Sequence, residues 1–133
     1  MTSPIPIANA ILNAKFRGTS YASTTPLFLA LATAVSTDGT FTEVKAIGTD
    51  GYARQSITFG TVAANKSISS TDAATFSATG NDWASVGFIV IVDNATEASG
   101  VVTVVDYGTV SAFALLAGTQ VLFPAGGVVA QVA

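Results

Sequence analysis

The chain has no cysteine and no histidine, and only 13 of its 133 residues carry charge. Each shortage closes off a class of function. Without cysteine there are no disulfides, thiolate nucleophiles or sulfur-ligated metals. Without histidine, the commonest general base and the commonest zinc ligand are both missing. Charged residues make up 10% of the chain, whereas ordinary soluble domains hold about 25%. Five basic residues scattered along the sequence form no stripe that could track phosphates, and the net charge is −3, so no nucleic-acid partner is expected. Long apolar runs are also absent. The longest, Val86 to Val92, contains a glycine and falls far short of the roughly 20 residues that a membrane-spanning helix needs, so no membrane partner is expected. MTSPIPIANA at the start has neither a basic first segment nor an apolar core of signal-peptide length, which predicts synthesis in a cytoplasm without a cleaved signal.

Hydrophobic residues nevertheless make up 50% of the chain. A lone subunit with so few charges has difficulty covering its surface with polar groups. The composition therefore predicts a subunit that hides apolar area against copies of itself or a larger assembly. The length fits one domain that buries roughly two-thirds of its unfolded surface. No linker divides the chain, and 1–133 reads as a single β domain, with an N-terminal helix or arm at 5–17 and a β body over 25–133.

The arm is PIPIANAILNAKFR, residues 4 to 17. Pro6 suits a first helical position, and Gly18 is placed to end the helix. Ile7, Ile11 and Phe16, with Ala8 and Leu12, recur at helical spacing. A helix this short must dock on something to persist. Beyond Gly18 the texture becomes β-like. TPLFLALAT (25–33) is a short buried strand, STDGT (36–40) a turn, YARQSITF (52–59) an alternating strand, and ATFSAT (74–79) a short strand. WASVGFIVIVD (83–93) is apolar on both faces, as a central strand covered on both sides should be. VVTVVDYGTV (101–110) follows the loop DNATEASG (93–100), and QVLFPAG and GVVAQVA, separated by Pro124, Gly126 and Gly127, read as a closing hairpin or two edge pieces. The fold predicted is mainly β: a compact antiparallel β-sandwich or barrel with a short N-terminal helix.

Little here can carry catalysis. Ser67 beside Lys66 is a nucleophile–base pair by adjacency only, and strand neighbours point to opposite faces. The eight acids (Asp38, Glu43, Asp50, Asp72, Asp82, Asp93, Glu97 and Asp106) sit mostly beside Gly, Asn, Ser or Thr, where carboxylates cap turns rather than pair for hydrolysis. DNATE (93–97) offers two acids and an amide without EF-hand spacing. NKS (65–67) and NAT (94–96) match the glycosylation pattern but lack an export signal. Tyr21, Tyr52, Trp83 and Tyr107 are the aromatics available to stack on a sugar, with Trp83 better placed for the core. No catalytic residue, metal or cofactor is assigned. In GTDGYARQ (48–55) a glycine turn launches a strand on which Tyr52 and Arg54 point the same way, about 7 Å apart. Such a pair can form an aromatic–cation contact on a shared surface, and Arg54 can reach a carboxylate of a neighbouring loop or subunit.

Taken in order, NAILNAKFRGT (Asn9 to Thr19), PLFLALAT (Pro26 to Thr33), GYARQ (Gly51 to Gln55) with Phe59, the Trp83 to Asp93 strand and FPAGG (Phe123 to Gly127) resemble a group of small virion proteins of tailed bacteriophages. Members are labelled capsid decoration (cement) or tail-fibre-like proteins. The segment 38–52 is poorer in glycine than the group's pattern, and Ala84 stands where glycine often follows the tryptophan. The resemblance implies a structural virion protein on the capsid surface. Such a protein would form a homotrimer, bind the major capsid protein of the head and stabilise the assembled lattice. The alternative is a tail or collar fibre module that recognises a host surface glycan. On either reading, Ile5, Ile7, Ile11, Leu12 and Phe16 of the arm, and then Tyr52 and Arg54, are the residues expected to contact a neighbouring subunit or the capsid.

Overall fold

A computed structural model describes residues 1–21, 25–63 and 66–131. One helix precedes nine strands. The helix is α1 (Ile5–Arg17). The strands are β1 (Leu27–Val35), β2 (Phe41–Glu43), β3 (Gln55–Ile57), β4 (Ser67–Ser69), β5 (Ala74–Ser77), β6 (Trp83–Val92), β7 (Val104–Leu115), β8 (Gln120–Phe123) and β9 (Val129–Gln131). All pairings are antiparallel. The main sheet runs β2-β1-β6-β7, and β3 joins it by pairing with the first residues of β1. Two small ribbons, β4–β9 and β5–β8, make the second layer. The architecture is therefore sandwich-like rather than a closed barrel. The last two apolar segments are edge pieces and not a hairpin: β8 pairs with β5 and β9 with β4.

Alternation along β1 and β6 explains why those segments are apolar throughout. Leu29 and Leu31 on β1, with Ile89 and Ile91 on β6, face a core that contains Tyr52, Ile57, Phe76, Trp83, Leu115 and Val128. Their neighbours Ala30, Ala32, Val90 and Val92 face a second, smaller core with Phe41, Val102 and Val104. The alanines thus face Phe41, Val102 and Val104, and the leucines face the rings of Tyr52, Phe76 and Trp83. Trp83 stands edge-on to Tyr52 and Phe76, with centroids 5.4 and 6.4 Å away. Pairs of this kind add about 0.5–1.5 kcal/mol each beyond simple burial. β7 runs past the expected end at 110 as far as Leu115, so the FALL segment continues a strand instead of starting a new element.

The segment 52–59 departs from the expected alternation. Only Gln55–Ile57 pairs as a strand, and the buried positions are Tyr52, Arg54 and Ile57. The buried face switches between Arg54 and Ile57, because the chain leaves the GTDG turn before it joins β1.

Candidate functional site

Two features stand apart from ordinary packing: a buried polar cluster built on GTDGYARQ, and the helix α1.

The cluster starts at the turn. Gly48, Asp50 and Gly51 all have positive φ, at 85°, 51° and 79°. Gly51 also has no room for a side chain, since a Cβ there would lie 2.6 Å from Thr79 Oγ1 and 2.7 Å from Ser77 O. Asp50 fixes the turn to the strand beyond it. Its carbonyl accepts from Trp83 Nε1 at 2.9 Å, and its carboxylate accepts from the backbone and side chain of Asn81. The carboxylate also pairs with Lys45 at 2.9 Å. The Lys45 hydrogen bond, helped by Asn81 and opposed by partial burial, holds the Asp50 carboxyl below its usual range.

The turn delivers Tyr52 and Arg54 inward, not outward. Tyr52 has no exposed surface, and the Arg54 side chain is likewise fully covered. The expectation of an exposed strand face carrying this pair is corrected. Both side chains converge on Glu43 of β2. Tyr52 donates its hydroxyl to Oε2 at 2.6 Å, while Arg54 donates Nε to Oε2 at 3.2 Å and Nη2 to Oε1 at 2.6 Å. Arg54 reaches a carboxylate of its own chain. Its remaining donors hold the 93–100 loop, with Nη1 on Asn94 O at 2.9 Å and Nη2 on Glu97 O at 2.8 Å. The aromatic ring beneath the guanidinium belongs to Phe41, 5.7 Å away, rather than to Tyr52. Tyr52 also receives the Leu31 N–H at 3.1 Å. Burial, reinforced by the bond to Glu43, pushes the Tyr52 phenol far above its ordinary value, so it stays neutral and is no base. The cluster is a clamp that joins β1, β2 and the 93–100 loop.

The other five aspartates cap backbone N–H groups. Asp38 serves Thr40, Asp72 serves Thr58, Asp82 serves Ala117, Asp93 serves Thr103 and Asp106 serves Tyr107. In the 93–97 loop Asn94 Oδ1 accepts from the N–H groups of Thr96 and Glu97, an Asx turn. Among the described residues no three potential metal-ligating side chains gather. Ser67 is buried while Lys66 is exposed. Asn65 of the NKS sequon lies outside the described residues. Of the aromatics considered for sugar stacking, Tyr52 and Trp83 are buried, Tyr107 is partly covered and Tyr21 is exposed.

Helix α1 forms as its sequence predicts. Pro6 lies in the first turn, and Gly18, at φ 69°, closes the helix with its N–H on Asn13 O. None of its residues is buried. Ile5, Ile11, Leu12 and Phe16 are all exposed, Phe16 by 74%, and Ile7 is partly covered. The helix is rooted by the fully buried Pro4 and by the Ile5 N–H on Thr37 O at 2.9 Å. Just before it, Thr2 exchanges backbone hydrogen bonds with Tyr107 of β7. At 100° per residue, the apolar arc runs from Ala10 through Ile7, Ile11, Ala8 and Leu12 to Phe16 and spans about 240°. Only Lys15 interrupts it. An arc that wide belongs to a helix covered from more than one direction, yet within its own chain Ile7, Ala8, Ala10 and Ala14 are only partly covered and Ile11, Leu12 and Phe16 are exposed.

Among the described residues, then, the aspartates cap turns, the Tyr52–Glu43–Arg54 cluster ties parts of the fold together, and no residue of the apolar helix is buried. The family described as podophage GP4 fiber I protein gp80 matches residues 6–131, so the chain belongs to that family of phage fibre proteins. None of the curated proteins gives a significant match. Among the described residues no helix is long and apolar enough to cross a membrane.

Proposed function

We propose that this chain is a non-enzymatic fibre subunit of a podophage virion, joined to its neighbours through α1. The observation that carries the reading is the helix itself: 13 residues, none buried, with an apolar arc facing solvent. Isolated helices of this length are marginal in water, so tertiary or quaternary packing must supply their stability. The family description, a podophage fibre protein, supports a structural virion role and is the ground for reading that role as a fibre. The clamp supports a structural role as well, because its phenol is neutral and its guanidinium donors are engaged.

Electron microscopy of intact virions carrying a labelled copy tests this reading. Label confined to the tail or collar is expected. Label spread over the head lattice, in contact with the major capsid protein, would replace the fibre with a decoration role. Retention of a host glycan by the purified protein would add recognition to the structural role. Its platform would have to lie away from the buried Tyr52 and Trp83.

A further inference from the structure

The free helix has a counterpart on the β body. Two adjoining depressions, of about 420 and 200 Å³, share Ile68, Asp106 and Ala130. Together they make an apolar trough whose floor and walls include Leu27, Phe59 and Val105. Ser3, just ahead of the helix, lies at one end of the trough, but no residue of α1 lines either depression. The chain's own helix instead leaves the body beside the β1–β2 turn, where Pro6 and Ile7 line a small depression together with Gly39 and Val104.

Charge is divided between helix and body in a way that selects a partner. α1 contains Lys15 and Arg17 and no acid, a charge of +2. With −3 for the whole chain, the remainder carries −5. The division is also local. Lys15 is the lone cation inside the helix's apolar arc. Asp106 is the lone anion in the apolar trough, partly buried, and among the described residues it has no ion-pair partner. Lys66 lies on the exposed rim of the larger depression without pairing to it. Burial pushes the Asp106 carboxyl above its ordinary value, against the Tyr107 N–H and the chain's N-terminal ammonium. Packing two such helices in parallel against each other would bring Lys15 side chains together in the apolar seam, which like charges oppose.

We propose that the helix of one copy docks in the trough of a second copy of this chain, its apolar arc covering Phe59, Ile68 and Val105 and Lys15 meeting Asp106. This rests on the fibre reading and deepens it, since it names a contact between two copies of such a subunit. The helix face left over remains available to a further copy.

The absence of cysteine makes the test direct. Lys15→Cys and Asp106→Cys each introduce the chain's sole thiol. Mixing the two variants under mild oxidation should give a disulfide-linked heterodimer, distinguishable when one carries a mass tag. Dimers of the Lys15→Cys chain alone would show helix-on-helix packing and overturn the proposal. A double variant that links only within one chain and scatters light as a monomer would overturn it too. Light scattering of the cysteine-free protein supplies a second arm. Lys15→Glu and Asp106→Lys should each weaken association by about tenfold or more, and the two together should recover it. Asp106→Asn, which keeps an acceptor for the Tyr107 N–H, should weaken it several-fold and replaces the lysine variant if that does not fold. Association unchanged in every charge variant, or no association of the unmodified protein, would overturn the proposal. Virion labelling reads location alone, so a head label would sink the fibre reading without altering these results.

Discussion

Arg54 holds Glu43 side-on, with Nη2 2.6 Å from Oε1 and Nε 3.2 Å from Oε2, while the same guanidinium holds two carbonyls of the 93–100 loop. This makes Arg54 a residue of the fold. Arg54→Ala would leave Glu43 without its cation and two carbonyls without donors. Removing one partner of a buried pair costs about 3–5 kcal/mol. Urea unfolding should show a loss of that order. Replacing the pair together, with Arg54→Met and Glu43→Leu, should cost less than the sum of the single changes.

Tyr52→Phe keeps the ring against Phe76 and Trp83 but removes the hydroxyl that serves Glu43 Oε2 and the Leu31 N–H. A loss of about 1–3 kcal/mol is expected, the cost of leaving buried polar groups unpaired. The same hydroxyl sets an alkaline limit. Because the folded state holds its proton more tightly than the unfolded chain does, the contribution is complete below the unfolded value of 10.0 and falls as pH rises beyond it. Tyrosinate absorbance followed through an alkaline titration should show Tyr52 ionising together with unfolding and not before it.

Asp106→Asn should make the isolated subunit more stable at neutral pH. Its carboxyl is raised by burial, so ionisation disfavours the folded state above the unfolded value of 3.8, and the gain should vanish at pH values below it. Asp50 behaves oppositely. Its lowered carboxyl stabilises the fold above 3.8, and that contribution is lost as pH falls through the folded value. At neutral pH the unfolding midpoints of the Asp106→Asn and Asp50→Asn variants should therefore move in opposite directions relative to the parent, and at acid pH both differences should shrink.

Gly51→Ala should cost well over about 1 kcal/mol, since it combines a left-handed backbone with contacts under 3 Å to Thr79 and Ser77. Gly100 has φ +90° but open space around it, and Gly100→Ala should lose only about 1–2 kcal/mol. Thermal melts of the two variants side by side separate the steric part from the backbone part.

Leu12→Ser and Phe16→Ser lie on a helix that buries nothing in its own chain. Each should move the unfolding midpoint of a dilute, unassociated subunit by no more than about 0.5 kcal/mol, as surface substitutions do. Incorporation into virions, measured by complementing a phage that lacks the protein, should fall sharply for both.

Much of this protein is determined by its sequence alone. Proline in the first turn, a 3.6-residue apolar period and Gly18 set the helix. Two-sided apolar runs at 27–35 and 83–92 set a central strand pair, because a strand covered on both faces needs apolar residues at every position. The missing histidine and cysteine remove the commonest catalytic groups, and aspartates beside turn residues are placed to cap the backbone. Tertiary structure decided the rest. Tyr52 and Arg54 look like a displayed surface pair, since pleating puts them on one side, but pleating does not say which side is inside. That depended on Glu43, nine residues before Tyr52, and on a loop some 40 residues beyond Arg54. The partnering of β8 with β5 and of β9 with β4 was likewise beyond local pattern, because short edge strands carry too little periodicity to choose a mate. Nor does the helix's periodicity reveal that no residue of its apolar arc is buried in its own chain, or that Asp106 lies in a trough of matching character. Both are facts about where surfaces fall once the chain has closed.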